Sequence, residues 1–282
     1  MVYNSNQVAE IVGVNVSTIK RWTLSGKLNC LKTPGGHRKF HVNHIKELLK
    51  SNKDLYTNID ISKLVGSNKK ILDAISNKNY KFLIRYCSNC LVSGESNKFF
   101  SLCNSLVLIG NSYDSIFDDI IIPLLDHIGK QWLDGKISIS EEHMASVKIR
   151  KFLSDLNNNF NYKNKSKAFS FTLINDEHDI PLYMSEIILN EAKVEVFNLG
   201  PNLPMNDLIN LYEKHNPKFI FISLVYTDNI IIVNSELNLL CKKILNKNTK
   251  VFLKGHYSNE INLDYDNYII LDSFKALKSQ LV

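Results

Sequence analysis

Long apolar runs are missing from this 282-residue chain: no uninterrupted stretch reaches the roughly eighteen residues that a membrane-crossing helix needs. Residues 1–6 lack the charged start and apolar centre of a secretory signal, so the expectation is a cytoplasmic protein with no membrane partner. Cysteine is scarce as well. There are five, an odd count with only Cys87 and Cys90 close together, which argues against a disulfide framework. That pair lacks the second pair of a zinc site and lies in a helix-patterned stretch, so buried helix thiols are expected. Acid is scarce in residues 1–53, where Glu10 and Glu47 stand against nine Lys and Arg, a net of +7. The whole chain carries +6, so the rest sums to −1 and the basic excess belongs to one small module. Its expected partner is a phosphate backbone, a double-stranded DNA operator.

The module's pattern agrees. Ser5 is placed to cap a first helix in which Val8, Ile11 and Val12 repeat at helical spacing and Gly13 ends the run. Ser17 is placed to cap a second helix, Thr18 to Ser25, displaying Lys20 and Arg21. A basic hairpin follows, Thr33-Pro34-Gly35-Gly36-His37-Arg38-Lys39, for which Pro34-Gly35 predicts a type II turn. The string from Gln7 through Phe40 resembles the MerR-type winged helix-turn-helix, in its shorter variant carrying Thr-Pro-Gly-Gly-His-Arg. The resemblance implies that the second helix enters the major groove while the wing tracks the backbone, placing Thr18, Lys20, Arg21, Lys32, His37, Arg38 and Lys39 at the DNA. Trp22, on a helix of so small a domain, is expected in the core.

With 44% apolar residues the chain can build two or three cores. The expected organisation is an all-α winged helix-turn-helix at 1–53, a polar linker at 54–67, an α-helical bundle at 68–160 and an α/β domain at 166–282. In the bundle, Ile116, Ile120, Leu124, Ile128 and Trp132 form one apolar set, which Pro123 is expected to kink. Gly135 is a natural stop after Trp132, and Ser138 with Glu141 makes a capping box that opens the next helix, which carries Glu142 and His143. All three side chains should therefore gather at one end of the bundle.

After residue 166 the pattern alternates. Strands are expected at Ala168–Ile174, Val194–Leu199, Phe219–Leu224, Lys250–Lys254 and Tyr268–Leu271, with helices at Leu182–Ala192, Leu208–His215 and Leu237–Leu245. That predicts a doubly wound, Rossmann-like or flavodoxin-like parallel sheet, whose ligands sit beyond the carboxyl ends of its strands. His178 falls there, two residues after Asp176, a spacing at which a carboxylate can hold one ring nitrogen while the other ligates a metal.

Singly, each residue has a plain reading: a tryptophan closing a core, a glutamate at a helix start, a solvated loop histidine. In combination, Trp132, then Glu142-His143, then a doubly wound domain with Asp176-x-His178 resembles the cobalamin-binding unit of methionine synthases, corrinoid proteins and cobalamin-dependent regulators. Joined to a MerR-type head, it resembles the CarH and LitR class of photosensitive transcription regulators. Leu199-Gly200-Pro201 with Pro204 fits the same class. The resemblance implies adenosylcobalamin or methylcobalamin as cofactor, with His178 as lower axial ligand to cobalt, Asp176 supporting it, and Trp132, Glu142 and His143 in the bundle capping the upper face. Ser223 would contact the nucleotide tail, beside Gly255. It further implies a regulator rather than an enzyme, a repressor more often than an activator, and a homo-oligomer, dimer or tetramer, that light dissociates.

Two positions depart from the family pattern. Pro181 replaces the glycine of Asp-x-His-x-x-Gly, where it either obstructs the cofactor or serves as a first helical residue. Lys254 replaces the first of two glycines, leaving Gly255 alone and narrowing the tail channel. Two other classes stay open at this point: a regulator with a degenerate cobalamin domain that answers a protein partner or another ligand, and a corrinoid-carrying enzyme module.

Overall fold

The computed structural model describes residues 2–157, 166–244 and 248–281. It divides into two compact units, Met1–Asn159 and Phe160–Val282. The expected bundle end at residue 160, Leu245 and residue 282 lie outside the described residues.

In the first unit α1 spans Ser5–Val12 and α2 spans Val16–Leu24. The cap of α1 is Asn4, one residue before the expected Ser5: its carboxamide oxygen accepts the Asn6 and Gln7 N–H groups while Gln7 Oε1 accepts the Asn4 N–H at 2.9 Å. Gly13 ends the helix at φ +70°, where a Cβ would also come within 3.2 Å of the Asn58 carbonyl. Helix α2 starts at Val16, two residues before the expected Thr18, after Asn15 rather than a Ser17 cap.

The wing pairs β1 (Leu31–Lys32) with β2 (Arg38–Lys39). Its left-handed residue is Gly36 at φ +76°, not Gly35, and Thr33 bonds both the Gly36 N–H and the His37 carbonyl. The connection is thus a three-residue loop closed by a left-handed glycine rather than a type II turn. Helix α3 (Val42–Ser51) completes the head around Tyr3, Val8, Val12, Ile19, Phe40 and Ile45. Trp22 is outside this core. It is half-buried, with Lys27 Nζ 5.0 Å from its ring centroid.

Residues 53–65 are ordered. A 3-10 turn at Lys53–Asn58 and α4 (Ser62–Val65) lie on α1, with the Asp60 N–H bonded to the Ile11 carbonyl at 3.0 Å. The bundle follows as α5 (Lys69–Ser76), α6 (Tyr80–Val92), α7 (Ser96–Leu108), α8 (Tyr113–Ile116), α9 (Ile122–Leu133) and α10 (Ile139–Asn157). A π turn at Phe117–Ile121 joins α8 to α9 just before Pro123. Proline there has no N–H to donate and crowds the preceding turn; the wider π turn absorbs both, so the chain stays helical.

In the second unit five parallel strands, β3 (Ser166–Thr172), β4 (Val194–Gly200), β5 (Phe219–Ser223), β6 (Lys250–Lys254) and β7 (Tyr268–Ile270), take the order β4-β3-β5-β6-β7. That is the flavodoxin-like order. Helices α11 (Ile180–Glu191) and α14 (Phe274–Ser279) cover one face, where Ser170 meets Ser185 and Phe221 stacks on Phe274. On the other face α12 (Met205–His215) and α13 (Ile230–Ile244) bury Leu208, Val233 and Leu237 against Phe169, Ile220 and Leu253.

Candidate functional site

The second unit builds its site at the carboxyl ends of β3 and β5, the neighbouring strands at which the strand order reverses. The chain leaves β3 through a turn in which the Asp176 N–H bonds the Leu173 carbonyl at 3.1 Å and the Thr172 hydroxyl donates to the Asp176 carbonyl. This turns the Asp176 carboxylate inward, fully buried. Its Oδ1 accepts the His178 N–H at 3.1 Å and stands 2.7 Å from His178 Nδ1. Its Oδ2 accepts the Val225 and Tyr226 N–H groups at 2.7 and 3.2 Å. One carboxylate therefore ties the loop after β3 to the loop after β5. Accepting from Nδ1 requires a proton there, which leaves the imidazole lone pair on Nε2. The His178 side chain is 56% exposed.

Ser223 ends β5, in register with Thr172 on one side and Lys254 on the other. Among the described residues its buried hydroxyl has no hydrogen-bond partner, leaving a polar atom that a ligand or a water could satisfy. Lys254 Nζ donates to the Asp272 carbonyl at 3.0 Å and lies 5.3 Å from the Phe274 ring centroid. Gly255 has φ +144°, and a Cβ there would fall 2.0 Å from the Leu224 carbonyl oxygen, so backbone packing alone demands a glycine. Pro181 is buried in the first turn of α11, where its missing N–H leaves no helical bond unmade.

In the first unit Gly135, at φ +69°, returns its N–H to the Trp132 carbonyl and ends α9. Ser138 and Glu141 form the expected capping box: Glu141 Oε2 accepts the Ser138 N–H at 2.7 Å and Ser138 Oγ accepts the Glu141 N–H at 3.3 Å. These bonds to the carboxylate hold the Glu141 pKa below its ordinary value. Trp132 is 43% exposed, so it does not close the core. Glu142 is pinned on both oxygens, by Ser146 Oγ at 2.6 Å and His143 Nδ1 at 2.5 Å. Ile139 and Val147 stand four residues either side of His143, sharing its helix face, and both are exposed. Neither belongs to the expected site, although their i, i+4, i+8 spacing around His143 is a signal that the sequence carries.

Lys20, Arg21, Lys32 and His37 are exposed on α2 and the wing, while Thr18, Arg38 and Lys39 are half-buried. Arg38 Nε is buried without a hydrogen-bond partner. Cys87 and Cys90 are buried helix thiols, and burial pushes both pKa values up, Cys87 strongly. Among the described residues no three His, Cys, Asp or Glu side chains gather as a protein-only metal site.

Residues 2–53 match the family of helix-turn-helix domains, and residues 83–154 match the B12 binding domain. The chain is 24% identical over 235 residues to the HTH-type transcriptional repressor CarH of Myxococcus xanthus, covering 79% of each protein. Its fold resembles that of the monomethylamine corrinoid protein of Methanosarcina barkeri with a TM-score of 0.56 at 16% identity, over 69% of this chain and 94% of that one.

Proposed function

We propose that this chain, which joins a helix-turn-helix domain to a B12-binding module, is a DNA-binding transcription regulator whose cofactor-binding part carries cobalamin as its sensor. The observation that carries the reading is the Asp176–His178 pair at the strand-order reversal. An imidazole whose Nδ1 faces a buried carboxylate can, in its neutral form, offer the Nε2 lone pair to a transition metal, with the carboxylate holding the ring. The chain's residues fit the group. In the second unit His178 would ligate the cobalt and the Ser223 hydroxyl would meet a polar atom of the nucleotide tail; in the first unit Trp132, Glu142 and His143 are the candidate contacts to the cofactor. When bound, cobalamin would supply a cobalt centre with an exchangeable ligand.

Neither departure from the family pattern argues against this reading. Pro181 starts a helix, and Lys254 is drawn to Asp272 and Phe274. A corrinoid enzyme module would leave the +7 head without a task. Repression, light as the stimulus and assembly into dimers or tetramers belong to the same proposal, resting on the likeness to CarH-type regulators.

The test is spectroscopic. Purified protein is mixed in the dark with methylcobalamin or adenosylcobalamin, freed of unbound ligand and scanned before and after illumination. Retained absorbance that His178→Ala weakens supports the proposal, and a colourless wild-type protein refutes cobalamin sensing while leaving DNA binding intact.

A further inference from the structure

Helix α10 is 19 residues long, about 28 Å at 1.5 Å per residue. Glu142 and His143 stand near its start. Near its other end the Leu156 carbonyl accepts a hydrogen bond from Asn43 Nδ2, 3.0 Å away on α3 of the DNA-binding head. Asn43 is only 4% exposed, and its Oδ1 accepts the Tyr113 hydroxyl of α8. Lys46, three residues further along α3 and 7% exposed, places Nζ 3.3 Å from the centroid of that same Tyr113 ring. At the edge of the contact Asn104 of α7 donates to the Tyr3 hydroxyl at 2.7 Å.

A DNA-reading head on a passive tether would have no reason to bury an asparagine and an ammonium group. Buried polar contacts of this kind tolerate little slippage, because any shift leaves a desolvated donor or acceptor unmatched. Helix α3 follows the wing directly after the buried Phe40, and Ile45 of α3 and Ile19 of α2 are both fully buried in the head. The Leu156 end of α10 is thus tied by a hydrogen bond to the helix that directly follows the wing.

We infer that Asn43 and Tyr113 are positioning residues of a joint through which DNA at the head and a ligand at the Glu142–His143 end of α10 bias each other's binding. The inference rests on the proposed function for the ligand. The joint itself can be examined without cofactor, since such coupling is reciprocal.

The probe is a DNA duplex that the protein selects from a random-sequence pool. Amide exchange across residues 138–147 is measured with and without this duplex in wild type, Tyr113→Phe and Asn43→Ala, all free of cobalamin. Tyr113→Phe keeps the ring beneath Lys46 and removes only the hydroxyl. DNA is expected to slow exchange of the segment in wild type and to leave it unchanged in both variants at saturating DNA.

In the second arm, DNA affinity is compared with and without methylcobalamin. A ratio of about five or more in wild type should fall toward one in Tyr113→Phe. A purely structural role would lower the melting temperature of the variants and leave that ratio alone. Exchange in wild type that ignores DNA, or coupling that survives both substitutions, overturns the joint. Failure to retain methylcobalamin while DNA still slows exchange overturns the cofactor reading alone.

Discussion

Asp176 Oδ1 lies 2.7 Å from His178 Nδ1, and the other oxygen of the same buried carboxylate accepts the Val225 and Tyr226 N–H groups in the loop after β5. The imidazole is thereby oriented from a fixed point at the carboxyl edge of the sheet, and if His178 ligates cobalt as proposed, its quality as a ligand depends on a residue that does not itself touch the metal. Asp176→Asn keeps the shape and removes the charge. It is expected to weaken methylcobalamin binding by about 10- to 100-fold, the usual cost of losing such an outer partner. Absorbance titration checks this, and affinity equal to wild type would show that the carboxylate serves the loop alone.

Ser223 yields a prediction with opposite signs in two assays. A buried hydroxyl without a partner is a standing cost, so Ser223→Ala should stabilise the cofactor-free protein by about 1 kcal/mol, seen as a rise of about 3 °C in melting temperature. If the hydroxyl meets the nucleotide tail, the same substitution weakens cobalamin binding by about fivefold. Cobinamide, which lacks that tail, should bind both proteins equally. Parallel losses for the two corrinoids would contradict the assignment.

Features that are local in the chain are legible in the sequence itself. The Ser138–Glu141 capping box, the Gly135 stop and the Asp176-x-His178 spacing each depend on neighbours within a few residues, and β6 falls on the expected Lys250–Lys254. Longer-range features are hidden from it. Residues 54–67 look like a linker because their polar composition says nothing about the Ile11 carbonyl that takes the Asp60 N–H. Helix α13 begins seven residues before its expected start at Leu237: the β-branched run Ile230-Ile231-Ile232-Val233 has low helix propensity, which the Asn229 side chain, accepting the Ile231 and Ile232 N–H groups, overrides. The burial of Asn43 and Lys46 likewise depends on Tyr113 and Leu156, far away in sequence.

The head should lose stability in mild acid. His44 Nδ1 accepts the His41 N–H at 3.3 Å, which needs a neutral ring. Burial, then the nearby His41, lowers the His44 pKa to about 4. An unfolded histidine titrates near 6.5, so unfolding takes up a proton as pH falls between roughly 6.5 and 4, and stability drops across that window. His44→Gln retains an acceptor that does not titrate and should flatten the decline. Thermal melts at pH 7, 5.5 and 4.5 decide, and an equal slope in the variant would assign the acid sensitivity elsewhere.

If the wing tracks the DNA backbone as proposed, it sets the salt dependence of DNA binding. Arg38 and Lys39 lie on β2, and Arg38 Nε has no hydrogen-bond partner among the described residues, so a phosphate oxygen reached by a small rearrangement would satisfy that donor. Each phosphate a cation neutralises releases condensed counterions, giving a slope of about −0.9 in log affinity against log salt. Arg38→Ala and Lys39→Ala should each lower affinity on any duplex and flatten the slope by about one unit, and together by about two. Lys70→Ala, at an exposed position of α5 outside the wing, should leave the slope unchanged. Binding titrations between about 50 and 200 mM salt separate these outcomes, since contacts to bases shift the intercept and contacts to phosphates shift the slope. A wing whose double variant keeps the wild-type slope does not touch the backbone, and the DNA contacts would then belong to Lys20 and Arg21 of α2.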